Sequence, residues 1–216
     1  MRGFSKITKL DFFTMKSQFI VYLSLIAIVL MFGFMGSSIT VLCITGAWFV
    51  ALMSSNIFAI QEKNNLDRLY GSVSVGLKEI VLGRYVFILL NYLISFVAII
   101  VIYCGFAMYQ NKAIEPNDVI LGFSLSFLTF SIITGIQMPL FFKMGYTKAK
   151  AWSLVPFIAV MALVVVPSFV SSLSSIIEFM QSHQSGLIVG GILTSCIIQI
   201  LSYRAAVSLY RKRKRG

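Results

Sequence analysis

Few side chains in this sequence are of the types that carry out catalysis or hold a metal ion. There is one histidine, His183, and the cysteines Cys43, Cys104 and Cys196 all lie inside apolar runs with no CxxC pair. Isolated cysteines in apolar surroundings are most simply small packing residues. A zinc or metalloprotease site would instead need histidine and acidic ligands at helical spacing. The sequence therefore predicts no catalytic residue, no metal site and no cofactor in this chain.

The acidic residues are more informative, because they are unevenly distributed. Three of the seven, Glu62, Asp67 and Glu79, lie in one polar stretch at residues 61–84, QEKNNLDRLYGSVSVGLKEIVLGR. This stretch is the longest polar interruption between two apolar segments. Its length and its apolar residues predict a surface on which another protein docks. The alternative is an ordinary solvated connection.

The elements that must hold this stretch are membrane helices. The 216-residue chain is 58% hydrophobic and 12% charged, with a mean hydropathy of +0.91, whereas a soluble domain is about 45–50% apolar and about 25% charged. Apolar runs of about 20 residues match a hydrocarbon core about 30 Å thick, and lipid requires each segment to satisfy its own backbone. The predicted fold class is therefore all-α, a polytopic membrane protein with a single transmembrane domain over residues 1–216. The six predicted transmembrane helices are 19–35, 39–60, 85–108, 119–141, 153–171 and 186–203.

The basic residues predict the orientation. All but one of the 18 Lys and Arg residues fall in the loops and termini of one side, the exception being Lys112. Positive charge marks the cytoplasmic face, so we expect both termini to be cytoplasmic. The net charge of +11 then reflects membrane orientation, and no nucleic-acid partner is predicted.

Both terminal segments are expected to lie at the membrane surface. Residues 1–18 are predicted to form an interfacial helix with lysines toward anionic headgroups, although Asp11 interrupts its apolar side; a frayed basic start to the first span is the alternative. The basic tail, residues 204–216, is expected to contact the inner leaflet.

Within residues 61–84, the spacing of Leu66, Leu69 and Tyr70 predicts a short amphipathic helix, which Asn64 or Asn65 can cap. A second cytoplasmic connection is predicted at residues 142–152. There Gly145 is expected to stop a helix and Thr147 to cap the next one.

The last predicted span carries a stripe of mostly small residues at four-residue spacing, which allows helices to approach closely. Packing within the subunit and a dimer interface are both compatible with it. The stripe consists of Gly186, Gly190, Thr194, Ile198, Ser202 and Ala206.

The run LDRLYGSVSVGLKEIVLGRY resembles the cytoplasmic loop of bacterial type-two ATP-binding-cassette (ABC) exporter permeases, in their small six-span branch. That family has a Leu-Pro-Val segment and then Ile-Val followed by a basic residue and Tyr; this chain reads SV at 74–75 and IVLGRY at 80–85. PLFFKMGYTKA at 139–149 is similar to the family's P-L-x-F-K-x-G-Y-x-K-A segment, and ITKLDF at 7–12 to its K-D-F opening. The three matches occur in the family's order, and with the six-span plan the resemblance covers the whole chain.

The resemblance implies a permease subunit in a bacterial cytoplasmic membrane that pairs with a second permease subunit, identical or different. Each subunit would sit on a cytoplasmic ABC ATPase, a separate polypeptide because this chain has no GxxxxGK[ST] phosphate loop. ATP and magnesium would be bound by that partner, and the cargo expelled would be hydrophobic or amphipathic, such as antimicrobial peptides or drugs. The implied coupling residues are Asn65, Leu66, Asp67, Arg68, Leu69, Tyr70, Ser72 and Val73, with a second cytoplasmic contact at Lys143, Gly145, Tyr146 and Lys148.

Two other functions remain open at this point. One is a non-transporting immunity, assembly or scaffold protein whose cytoplasmic loops bind another partner. The other is a facilitator that works without ion coupling, since no predicted span interior contains an ionisable residue.

Overall fold

The structure is a computed structural model that describes residues 3–15, 19–64, 66, 76–110, 113–165 and 184–215. No strand occurs in these ranges, which confirms the predicted helical class. The helices are α1 (Gly3–Met15), α2 (Phe19–Phe34), α3 (Ile39–Lys63), α4 (Leu77–Tyr109), α5 (Pro116–Met144), α6 (Tyr146–Ala149), α7 (Val155–Val165) and α8 (Gln184–Arg215), with a 3-10 turn at Trp152–Leu154.

Four of these helices, α3, α4, α5 and α8, are long and apolar enough to cross a membrane. Helices α2 and α7 are apolar but shorter, and the end of the fifth predicted span, residues 166–171, lies outside the described residues. The membrane class of the protein is thus confirmed, while the six-span plan and its orientation stay predictions.

Several helices continue beyond their predicted spans. Helix α3 runs on to Lys63, and α4 begins at Leu77. Both ends of the polar stretch 61–84 are thus helical, since residues 61–63 complete α3 and residues 77–84 begin α4.

Helix α3 is the most enclosed of the four long helices, because it packs against α5 and α4 on its sides and against α2 near its start. One large hydrophobic cluster joins α3, α4 and α5 and extends to α1 and α8. A smaller cluster near the Gly36 turn joins α2, α3 and α4.

Helices α5 and α8 form the most extensive pair, and small and hydroxylated residues allow their backbones to approach. A β-carbon on Gly191 would collide with the Ser124 side chain, whose hydroxyl donates to the Ile188 carbonyl at 2.9 Å. Farther along, the Ser202 hydroxyl donates to the Gly135 carbonyl at 2.8 Å. Such contacts replace the hydrophobic driving force that lipid cannot supply.

The small-residue stripe on α8 is divided between two environments. Ser202 and Ala206 are buried within the subunit, whereas nothing lies within 4 Å of a β-carbon built on Gly186 or Gly190, and Thr194 is exposed. The face of α8 that packs within the subunit contains Gly191 and Ser195 together with Ser202 and Ala206, so it overlaps the stripe only in the second half of the helix.

Candidate coupling surface

The first predicted coupling segment starts at Asn65, two residues after the end of α3 at Lys63. Asn64 is the C-cap of α3, and its backbone N–H donates to the Ile60 carbonyl at 3.0 Å. Asn64 therefore ends α3. The other candidate cap, Asn65, lies outside the described residues, so the cap of the short amphipathic helix stays a prediction. Leu66 is half-buried against the large hydrophobic cluster. The remaining predicted residues, Asn65, Asp67, Arg68, Leu69, Tyr70, Ser72 and Val73, lie outside the described residues.

Glu62, in the last turn of α3, links the polar stretch 61–84 to the second predicted cytoplasmic segment, residues 142–152. Its Oε2 accepts hydrogen bonds from the backbone N–H groups of Tyr146 at 2.6 Å and Thr147 at 3.2 Å. The Thr147 hydroxyl donates to the other carboxylate oxygen. A carboxylate that accepts from backbone amides and a hydroxyl forms charge-assisted hydrogen bonds, which are stronger than neutral ones. The end of α3 is thereby fixed to the start of α6.

Gly145 makes this approach possible. It ends α5 with φ 79° and ψ 174°, a region of backbone conformation that is essentially restricted to glycine. A β-carbon at this position would lie 3.1 Å from Glu62 Oε2 and 3.3 Å from Arg213 Nη2. The prediction of Gly145 as a helix stop is confirmed, and both the backbone angle and the crowding require glycine here.

Thr147 does not have its predicted role. The N-cap of α6 is Gly145, and Thr147 lies inside the helix with its hydroxyl on Glu62. The sequence correctly indicates a helix start in this region but assigns it to the wrong residue, because the partner of Thr147 is far away in the chain.

Arg213 brings the last turns of α8 to the same place, since its guanidinium is next to Gly145 and Glu62. We call the set Glu62, Gly145, Tyr146, Thr147 and Arg213 the polar junction. It joins α3, the α5–α6 connection and α8, three parts of the chain that are distant in sequence.

Beneath the polar junction lies a layer of aromatic rings. Phe58 of α3 stacks on Phe141 at 4.9 Å and meets the edge of Phe142 at 5.2 Å between ring centroids. Phe142 in turn contacts Tyr210 of α8 at 5.2 Å. These rings are largely buried and hold the same helices that the polar junction joins, so this end of the bundle is packed as one unit.

The four residues of the second predicted contact divide into two kinds. The Lys143 and Lys148 side chains are exposed and can meet a partner. Gly145 is buried, and the half-buried Tyr146 ring stacks on Phe141 at 6.0 Å between centroids. Gly145 and Tyr146 therefore shape the surface, whereas the two lysines supply its charge.

A buried ion pair lies at the same end of the bundle, where α1 crosses α4. Arg84 Nε is 2.9 Å from Asp11 Oδ2, and the two side chains are 1% and 2% exposed. The guanidinium also lies over the Phe58 ring, 5.3 Å from its centroid. Burial raises the pKa of Asp11 to about 6, with the charge of Arg84 acting in the opposite direction. The Thr8 hydroxyl donates to the Gly83 carbonyl at 3.0 Å and adds a second tie between α1 and α4.

Sequence reasoning missed both long-range links. Asp11 did give a signal, since an acid on the apolar side of an amphipathic helix needs a buried partner, but Arg84 was counted with the loop charges. Glu62 and Arg213 gave none, because each lies among charges that are typical of a solvated cytoplasmic surface.

No group of three His, Cys, Asp or Glu side chains that could hold a metal ion is present in the part of the chain that the structure describes. At this end of the bundle the polar junction joins α3, α5, α6 and α8 at the point where the chain leaves α3 toward α4. A displacement of the chain at that point would therefore be transmitted to several helices.

Comparison with known proteins agrees with this picture. The family described as ABC-2 family transporter protein matches residues 6–211, nearly the whole chain. Neither a curated protein nor a solved structure gives a match. The family is that of membrane components that in general work with an ABC ATPase. With these motifs in the family's order and apolar helices that can cross a membrane, the chain belongs to the ABC-2 family and is an ABC-2 type permease.

Proposed function

We propose that this permease is a subunit of an ABC exporter, in which ATP hydrolysis by a separate cytoplasmic ATPase expels a hydrophobic or amphipathic cargo. The working unit contains two permease subunits, the same or different, in a bacterial cytoplasmic membrane. ATP and magnesium belong to the ATPase. The coupling helix is the segment around residues 65–73, with Leu66, Leu69 and Tyr70 against the ATPase and Asp67 and Arg68 at the rim of that contact.

The observation that carries this proposal is the hydrogen bonding of Glu62. The connection that would meet the ATPase follows α3 directly, and Glu62 fixes the end of α3 to the α5–α6 connection through three hydrogen bonds. A push on the connection therefore reaches α3 and α5 together. Arg213 beside them adds α8.

The composition of the spans supports transport that is powered from outside the chain. In the four long helices the charged residues lie within the first eight or the last twelve positions, and the buried Arg84 near the start of α4 is paired with Asp11 of α1. A proton- or sodium-coupled transporter generally places ionisable groups at mid-membrane.

The test is ATP hydrolysis in a reconstituted complex of the permease and an ABC ATPase from its native host. We expect the permease to co-purify with the ATPase and to stimulate its hydrolysis. Glu62→Gln keeps the shape of the side chain but removes its charge, and should lower stimulation severalfold while leaving membrane insertion intact. Glu115→Gln is the matched control, because Glu115 is exposed at the opposite end of α5.

Two results would contradict the proposal. If the permease recruits no ATPase from its host, a scaffold or immunity role becomes the better explanation. If Glu62→Gln stimulates hydrolysis as fully as the unmodified protein does, force does not pass through the polar junction.

A further inference from the structure

A groove of about 880 Å³ lies between α1, α2 and α4, away from the polar junction. This volume is within the range of about 300–1,000 Å³ that is typical of small-molecule sites. Its α4 wall consists of one face of that helix: Val86, Leu90, Asn91, Ile94, Ser95 and Ala98. The wall is mostly apolar and is interrupted by two polar side chains.

The length of the groove matches one leaflet of a bilayer. From Val86 to Ala98 the wall covers about 18 Å at 1.5 Å per residue, and half of a hydrocarbon core is about 15 Å. On α4 the lining extends no farther than Ala98, and the next residue, Ile99, packs in one cluster with Leu25 and Val29 of α2. A groove one leaflet deep fits an acyl chain better than a transmembrane helix of a second subunit, which would continue across the membrane.

The two ends of the groove differ in charge. At the Ala98 end the lining is apolar apart from Ser95. At the other end α1 supplies the exposed side chain of Lys9, the cation among the described residues that line the groove. Helix α1 is fixed there by the Asp11–Arg84 pair and by Phe12, whose ring meets Phe87 at 4.8 Å between centroids. Lys9 is therefore held where a headgroup of that leaflet would lie.

The middle of the groove contains an internal hydrogen bond. The Tyr22 hydroxyl donates to Asn91 Oδ1 at 3.1 Å, and Asn91 is largely buried. This bond joins α2 to α4 across the back of the groove and leaves the apolar side chains of α4 to face the opening. Ile94, which is 57% exposed, marks this open side toward the surroundings of the protein.

We propose that this groove binds an anionic lipid from the leaflet at which α1 lies, with one acyl chain along α4 and the headgroup phosphate on Lys9. The site is separate from the polar junction and does not depend on the exporter role. Lipid binding here would stabilise the packing of α1 and α2 against α4.

The charge preference is tested on purified protein in mild detergent micelles to which phosphatidylglycerol or phosphatidylcholine is added, with native mass spectrometry as the readout. We expect one saturable phosphatidylglycerol per chain and about fivefold weaker binding of phosphatidylcholine. A basic residue near an anionic surface contributes about 1 kcal/mol, which corresponds to that factor. Lys9→Gln should remove the preference, whereas the exposed Lys150→Gln, at the same end of the bundle, should keep it.

The apolar part is tested by filling the groove. Ala98→Phe should abolish saturable binding of both lipids, and Ala27→Phe, the same change at an exposed site outside the lining, should not. Ile94→Trp narrows the open side at an exposed position, where a larger side chain does not crowd the core, and it should also weaken binding. Wild-type phosphatidylglycerol binding by Lys9→Gln and by both groove variants would overturn the proposal. So would conversion of a dimer to monomers by Ala98→Phe with lipid retained, since the groove would then be a subunit interface.

Discussion

The polar junction makes a specific prediction for Gly145→Ala. At φ 79° and ψ 174° alanine is strained by about 1–3 kcal/mol. The added methyl group would also lie 3.1 Å from Glu62 Oε2, so the carboxylate must move and its hydrogen bonds weaken. A hydrogen bond to a charged group contributes about 1.5–3 kcal/mol, which we reduce to about 1 kcal/mol because Glu62 is exposed. The sum is about 2–4 kcal/mol.

Thermal unfolding in detergent measures this change. For a chain of this size, 1 kcal/mol corresponds to about 2–4 °C in Tm, so the Tm should fall by at least about 4 °C. Stimulation of the partner ATPase should also fall severalfold, because the end of α3 is no longer fixed to α6.

Gly36→Ala is the matched control. Gly36 has φ 77° at the opposite end of α3, and a β-carbon there meets nothing within 4 Å. This variant carries backbone strain alone, so it should lower the Tm but leave ATPase stimulation unchanged. Equal stimulation by Gly145→Ala and Gly36→Ala would refute the reasoning, because crowding at Glu62 would then have no functional effect.

Three further predictions concern separate parts of the molecule. Gly191→Ala should lower the Tm by several degrees because α5 leaves no room for the methyl group, whereas its neighbour Gly190→Ala should leave it unchanged or raise it. Burial raises the pKa of Asp11 from 3.8 to about 6, so the folded chain holds this proton more tightly and the free energy of unfolding should fall as pH rises from about 4 to 6; Asp11→Asn should flatten that part of a Tm–pH profile, and the exposed Asp118→Asn should not. Tyr70→Asp should abolish stimulated ATP hydrolysis with insertion intact, because it places a charge in the proposed ATPase contact; full hydrolysis would remove Tyr70 from that contact.

The extent of the helices could be predicted because it depends on local sequence. Apolar runs of membrane length predict one end of each long helix to within a few residues, namely the start of α3, the end of α4, the start of α5 and the start of α8. Gly145 predicts the end of α5, because the positive φ found there is a property of glycine alone. The opposite ends, which carry the charged residues, are predicted less accurately, since α4 begins at Leu77 and α8 ends at Arg215. Helix α3 extends to Lys63 because Glu62 finds partners on α6, and such partners cannot be read from neighbours in the chain.

The end of the molecule that holds the polar junction shows the same division. The exposure of Lys143 and Lys148 could be predicted, because both are charged residues in a short connection between apolar helices. The links between Glu62 and Thr147, and between Asp11 and Arg84, join residues more than 70 positions apart. A single sequence contains no pattern for such pairs, so these links emerged only once the helices were packed.

Helix α3 has one more consequence, which comes from its length. Its 25 residues make a rod of roughly 37 Å that follows the Gly36 turn at one end and is bound to α6 through Glu62 at the other. A tilt of about 5° moves the Glu62 end by about 3 Å, more than a hydrogen bond can stretch. A tilt of α3 about its Gly36 end therefore has only two outcomes. Either α6 moves together with the far end of α3, or the hydrogen bonds between Glu62 and α6 break first.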